Sequence, residues 1–131
     1  MCIFCKIVNG EIPSKKVYED NDVIAILDIS QATKGHTLVI PKKHYANILE
    51  IEDSEYIKVM KVLKNVTSKI NDAYKPKGFN ILNNCGEVAG QTVMHYHVHI
   101  IPRYDKDDIK LEFTDHSDKY DLTEIMHDLT I

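Results

Sequence analysis

An α+β domain built on an antiparallel sheet is the fold this sequence predicts, and three observations carry the prediction. Within residues 90–103, His95, His97 and His99 alternate with Tyr96, Val98 and Ile100, the two-residue period of a strand. Residues 53–74 place Val59, Leu63, Val66, Ile70 and Ala73 three or four positions apart, the period of an amphipathic helix. The remaining apolar runs are short and bounded by turn residues, so hairpin, strand, long helix and two further strands follow one another without βαβ alternation.

The elements follow in order. Cys2 and Cys5 form a Cys-x-x-Cys pair before any strand. That spacing serves either a redox motif, which normally opens a helix after a strand, or half of a zinc site that needs two more ligands. Residues 17–19 and 23–27 read as a hairpin turned at Asp20-Asn21-Asp22, and residues 36–40 as a strand ended by Pro41. Between them, Asp28 and His36 flank a polar loop. The long helix has Asp53 or Ser54 to cap its first turn, and Pro76 with Gly78 to stop it. Its lysines read as a solvated face. Residues 79–83 form the next strand, and the loop 84–90, with two glycines, feeds the histidine strand. Beyond Arg103 the chain turns acidic and ends in a short helix, with Asp121 and Glu124 at its start and Leu122, Ile125, Met126 and Leu129 as its stripe.

At 131 residues one domain spanning 1–131 is expected, able to bury about two thirds of its unfolded surface. The formal net charge of −4, with no concentrated basic stripe, argues against a long nucleic acid as partner. A small anionic ligand remains open. No apolar run approaches the length of a membrane span, and the N-terminus lacks the basic and apolar regions of a secretory signal. A cytoplasmic protein without disulfides is therefore the expectation.

In the histidine segment, a strand would set His95, His97 and His99 on one face, roughly 7 Å from one to the next, with Tyr96, Val98 and Ile100 on the other. Clustered imidazoles titrate near neutral pH and are costly to bury, so the row points to chemistry rather than packing. A neutral imidazole is a nucleophile when a partner on one ring nitrogen aims the lone pair of the other, which suits phosphoryl-group transfer. Cys85 reads as a small packing residue, and His116 and His127 as surface residues.

His95-Tyr96-His97-Val98-His99-Ile100-Ile101 resembles the motif of the histidine triad (HIT) family. The other family segments fall in order: Ile3-Phe4-Cys5-Lys6-Ile7, Ile12-Pro13, Leu27-Asp28-Ile29-Ser30, His36-Thr37-Leu38-Val39-Ile40-Pro41-Lys42-Lys43-His44 and Gly90-Gln91-Thr92-Val93. The resemblance covers residues 2–104, leaving 105–131 as a C-terminal extension, and is closest to the small nucleoside phosphoramidase branch. It implies a HIT-like fold of about five antiparallel strands, one long helix and a short C-terminal helix, paired into a homodimer whose sheet continues across the interface.

The resemblance further implies a hydrolase acting on purine nucleoside phosphoramidates or adenylylated compounds through a nucleotidyl-histidine intermediate. His97 would be the nucleophile, His36 its neighbour in orientation, and His99 a donor to a phosphate oxygen or the leaving group. Gln91 and Thr92 would add donors around the phosphate. Asp28 would accept from the ribose hydroxyls with Asn84 near the same sugar, while Ile3, Phe4, Ile7, Ile26 and Ile29 would wall the base. Such walls discriminate little between adenine and guanine. No metal is implied for the chemical step. Family members with the cysteine pair hold a structural zinc ion, here through Cys2, Cys5, His44 and His95. Alternatives are a dinucleoside polyphosphate hydrolase, since Pro102-Arg103 also occurs in that branch, and a nucleotide-binding interaction module with incidental turnover.

Overall fold

A computed structural model describes residues 2–131. Its elements are α1 (Ile3–Val8), β1 (Lys16–Glu19), β2 (Val23–Leu27), β3 (Thr37–Pro41), α2 (Asp53–Tyr74), β4 (Gly78–Leu82), β5 (Val98–Arg103) and α3 (Leu122–Leu129), with 3₁₀ turns at Glu87–Ala89 and Ser117–Lys119. The five strands form one antiparallel sheet in the order β1-β2-β3-β5-β4. The α+β architecture expected from the sequence is the one observed. No helix is long and apolar enough to cross a membrane.

Strand alternation gives the sheet two apolar faces. Val23, Ala25, Val39, Val98 and Ile100 point to one side, where Val59, Val62, Leu63 and Val66 of α2 cover them. Ile24, Ile26, Leu38 and Ile40 point to the other, under Phe4 and Ile7 of α1. Because α1 is only two turns long, it covers part of that second face, and the remainder opens as a pocket beside the histidines.

Four local readings are corrected. The histidine strand begins only at Val98: the β3–β5 ladder runs Val39↔Val98, Leu38↔His99 and Thr37↔Ile100. Upstream, the Tyr96 amide donates to the Tyr45 carbonyl (2.6 Å) and His95 Nε2 to the Pro41 carbonyl (2.7 Å), so the turn after β3 takes bonds that a longer ladder would need. The alternation survives without the ladder, with Tyr96 in the α2 core and the histidines on the α1 side. At α2, neither Asp53 nor Ser54 is the cap; Glu52 holds that position without a side-chain bond. Helix α1 had no signal in periodicity, being too short to show one; Cys2 caps it, its sulfur accepting from the Cys5 amide. Finally, Asp121 caps α3 through the Thr123 and Glu124 amides, but the stripe of that helix lies largely in solvent.

Helix α2 ends with Lys75 in the left-handed conformation (φ 49°, ψ 51°), its amide bonded to the Asn71 carbonyl. A side chain pays roughly 1 kcal/mol there, and glycine does not. Lys75→Gly is therefore expected to raise stability by up to about 1 kcal/mol in urea titrations; a loss would mean that the exposed lysine side chain itself holds the helix end.

Candidate functional site

Beside α1 the second face of the sheet opens a cavity of about 360 Å³, lined by Ile3, Phe4, Ile7, Ile26, Asp28, Ile29, Thr92, His97 and His99 together with Pro13, Ser14, Leu27, Leu38 and Val93. Nine residues singled out in the sequence thus meet in one place, brought from α1, β2, the loop after it, the segment leading into β5, and β5 itself. His36 stands behind His99 rather than in the lining.

The hydrogen bonds assign the ring protons. His97 Nδ1 lies 2.7 Å from the His95 carbonyl, an acceptor, so Nδ1 carries the proton and Nε2 keeps its lone pair. The ring is buried, and Phe4 meets it edge-on at 5.0 Å. Burial pushes the His97 imidazole below its ordinary range, against the bond to the His95 carbonyl and the Asp28 charge. Asn83, which the sequence did not single out, fixes the same segment by donating to the His97 carbonyl (2.9 Å).

A second chain of bonds runs through the loop after β2. The Ala32 amide donates to His36 Nδ1 (3.2 Å), so the proton of neutral His36 sits on Nε2, which faces His99 Nδ1 at 2.9 Å and an Asp28 carboxylate oxygen at 3.5 Å. His99 Nδ1 then accepts, leaving its Nε2–H free to donate. The Asp28, His36 and His99 ligand atoms are close enough together to enclose an ion, but His36 has no lone pair left for one. The cluster is a hydrogen-bonded chain. Gln31 braces its loop, accepting from the Gly35 amide (2.9 Å) and donating to the Asp28 and His36 carbonyls (2.6 and 2.7 Å). Gln31 and Asn83 escaped the sequence reading because a lone polar side chain in a loop or at a strand end carries no periodic signal; only the fold reveals their partners.

Burial, and then the neighbouring His97 and His36, push His99 from the ordinary 6.5 down to about 4. In the unfolded chain this ring takes up a proton as the pH falls through 6.5, while in the folded chain it does not until about 4. The unfolded state binds more protons across that window, so stability is fullest above pH 6.5 and is lost as the pH drops from 6.5 toward 4. Urea midpoints of the wild type should fall across that interval more steeply than those of His99→Gln; parallel curves would refute the assignment.

Two assigned side chains lie elsewhere. Gln91 is buried with its amide spent, donating to the Ala46 and Val93 carbonyls and accepting from the Gly86 amide, so it ties the loop and offers no donor to a phosphate. Asn84 donates to the Gly90 carbonyl (3.3 Å) and is absent from the cavity lining. The fold uses both side chains to shape the loop that precedes the histidines. Cys85 is half-buried and unpaired, and His116 and His127 are exposed.

On the far side of Phe4, Cys2, Cys5, His44 and His95 converge. His95 Nε2 donates to the Pro41 carbonyl, so its Nδ1 lone pair faces the cluster, 3.4 Å from Cys2 Sγ, 3.6 Å from Cys5 Sγ and 3.1 Å from His44 Nδ1. His44 Nδ1 is 3.4 Å from Cys5 Sγ. Bonds of about 2.0–2.3 Å in a tetrahedron put ligand atoms about 3.3–3.8 Å apart, close to these separations. Burial, then the Cys2 sulfur, hold the Cys5 thiol above its usual range, so a cation is what would let it ionise. The donor set fits a closed zinc site.

A family model described as HIT domain matches residues 9–106. The chain belongs to the histidine triad family. Among HIT relatives, it is 57% identical over 107 residues to protein hit of Bacillus subtilis, covering 82% of this chain and 74% of that one. It is 45% identical over 102 residues to the adenosine 5'-monophosphoramidase hnt1 of Schizosaccharomyces pombe (78% and 74%). A crystal structure of a HIT family member from Bacillus subtilis superposes with a TM-score of 0.91 at 50% identity, covering 98% of this chain and 94% of that one. A zinc-bound histidine triad family protein from Mycobacterium smegmatis superposes at 0.79 with 34% identity (90% and 86%).

Proposed function

We propose that this HIT protein hydrolyses purine nucleoside 5'-phosphoramidates and related adenylylated compounds, with His97 as nucleophile. The observation that carries the reading is the buried ring of His97, locked through Nδ1–H onto the His95 carbonyl, with an unengaged Nε2 in an apolar cavity that also holds a carboxylate. The phosphoramidase relative in fission yeast adds weight.

In the first step Nε2 bonds to the α-phosphorus and the P–N bond breaks, its electron pair leaving on nitrogen, which takes a proton from solvent. In the second, water adds to phosphorus and loses a proton to solvent, while the P–Nε2 pair returns to the ring. The products are the mononucleotide, the amine and neutral His97. His99 Nε2–H serves a phosphate oxygen or the leaving group, and Thr92 adds a donor. Asp28 takes the ribose hydroxyls, and Ile3, Phe4, Ile7, Ile26 and Ile29 wall the base. Zinc at Cys2, Cys5, His44 and His95 is structural: it holds α1, which forms one wall of the cavity, against the sheet.

The test compares kcat/KM for an adenosine phosphoramidate and a diadenosine polyphosphate, followed by acid quench in the phosphoramidate reaction. Faster phosphoramidate cleavage with adenylate on a peptide containing His97 is expected. Faster polyphosphate cleavage, or a label on another residue, would overturn the assignment.

A further inference from the structure

The loop of residues 28–36 carries Asp28 and His36 and is closed at its neck, where the Asp28 amide donates to the His36 carbonyl (3.0 Å), one step beyond the Leu27↔Thr37 pair of β2 and β3. The neck fixes where His36 stands. It does not fix which way the ring faces, because an imidazole turns about its side-chain torsions. The ring is oriented instead by the partners of its two nitrogens, the Ala32 amide on Nδ1 and His99 on Nε2. Asp28 favours the same proton position, but at 3.5 Å from Nε2 it is too distant to hold the ring alone.

The Ala32 amide comes from the far side of the loop, so its place depends on what anchors that side. Thr33, the next residue, is buried: its hydroxyl donates to the Pro102 carbonyl (2.5 Å), and its own carbonyl accepts from the His36 amide (3.1 Å). Pro102 is itself buried in β5, and the β3–β5 ladder ends at Thr37↔Ile100, short of it. The chain turns aside at Gly35 (φ 96°), where a Cβ would come within 3.3 Å of the Pro102 ring and 3.4 Å of the Tyr74 ring. Glycine alone accepts that backbone and that approach without strain. The loop therefore presses on Pro102, and the Thr33 hydroxyl satisfies a buried carbonyl beyond the reach of the ladder. A second tie, from the Tyr104 hydroxyl to the Lys34 carbonyl (2.6 Å), lies at the exposed rim, and the bonds of Gln31 run within the loop.

We propose that Thr33 is a positioning residue for the proton of His99: anchored on Pro102, it holds the Ala32 amide over His36 Nδ1, so that His36 keeps its proton on Nε2, donates through it to His99 Nδ1, and leaves His99 presenting Nε2–H to the substrate. Thr33 is absent from the cavity lining and acts only through these two rings. The use of that proton in turnover rests on the phosphoramidase reading above; the arrangement of the rings does not.

Nitrogen-15 spectra of the zinc-loaded full chain, at about pH 8 where an ordinary imidazole is neutral, distinguish protonated from bare ring nitrogens. In the wild type both His36 and His99 should carry the proton on Nε2. A wild-type His99 protonated on Nδ1 overturns the proposal whatever the variants do. Thr33→Val keeps the shape and removes the hydroxyl. It should spread the His99 proton over both nitrogens and lower kcat for an adenosine phosphoramidate about tenfold, with KM within about threefold of wild type. Thr33→Ser should restore both. In a His99→Ala background Thr33→Val should cost no further kcat, since the two changes act on one proton. A lowered Tm with unchanged ring signals and kcat would reduce Thr33 to a structural residue, and a full further loss on top of His99→Ala would mean that it acts elsewhere; either overturns the proposal. Ring signals that respond as expected in a protein that cleaves no phosphoramidate would support the anchoring and overturn the proposed reaction instead.

Discussion

His97→Ala is expected to lower kcat for phosphoramidate hydrolysis by about 10⁴-fold or more while leaving nucleotide affinity within a few fold. Loss of a nucleophile removes the covalent route altogether, and comparable deletions in other covalent enzymes cost about 10⁴–10⁶. Affinity is spared because the proposed base and ribose contacts, from α1, β2 and Asp28, do not involve this ring. Adding free imidazole to the variant should restore part of the turnover, since the vacated space lies beside Phe4 and His99, which hold a ring in place in the wild type. Steady-state kinetics with and without imidazole, together with a quenched single turnover, read all three effects. Turnover within tenfold of wild type would end the proposed role of His97, and adenylate recovered on another residue would reassign it. Loss of binding together with turnover would mean that the ring supports the cavity wall rather than the chemistry.

Zinc removal has the second largest expected effect. Structural zinc sites contribute folding free energy directly, up to about 10 kcal/mol or more where the apo chain is unfolded. Here the sheet and α2 form a core without the metal, so a smaller share is at stake, of the order of 3–4 kcal/mol. At roughly 3 °C per kcal/mol for a chain of this size, chelation or Cys5→Ser should lower Tm by about 10 °C. Turnover should fall too, about 10-fold or more, because the carbonyl that orients His97 belongs to His95, one of the four ligands. Elemental analysis of protein purified without chelator should give one zinc per chain. A chelator-treated protein with unchanged Tm and no bound metal would show that the four side chains hold α1 without an ion.

The α+β architecture was legible in the sequence because its signals are local. The stripe Val59, Leu63, Val66 and Ile70 marks α2 wherever that helix packs, and the turn residues around β2 and β3 mark the strands whatever their neighbours. The site was legible because its residues are chemically unusual together: three alternating histidines and a cysteine pair have few structural uses. Their ring protons were not legible. That His97 keeps a free Nε2 depends on the carbonyl of His95 leaving the ladder, which follows from the Tyr96 amide bonding Tyr45 in the turn after β3.

The sequence by itself thus determined the elements, their order and the inventory of reactive groups, since each depends on residues close together in the chain. Only the tertiary structure decided which groups meet and which nitrogen of each ring stays free. It turned Gln91 into a tie for its loop, put Asn83 on the His97 carbonyl and Gln31 across the loop of His36, and stripped α3 of the cover its pattern called for. The physical reason is that a side chain's role is set by what competes for its hydrogen bonds and its surface, and those competitors come from distant parts of the chain.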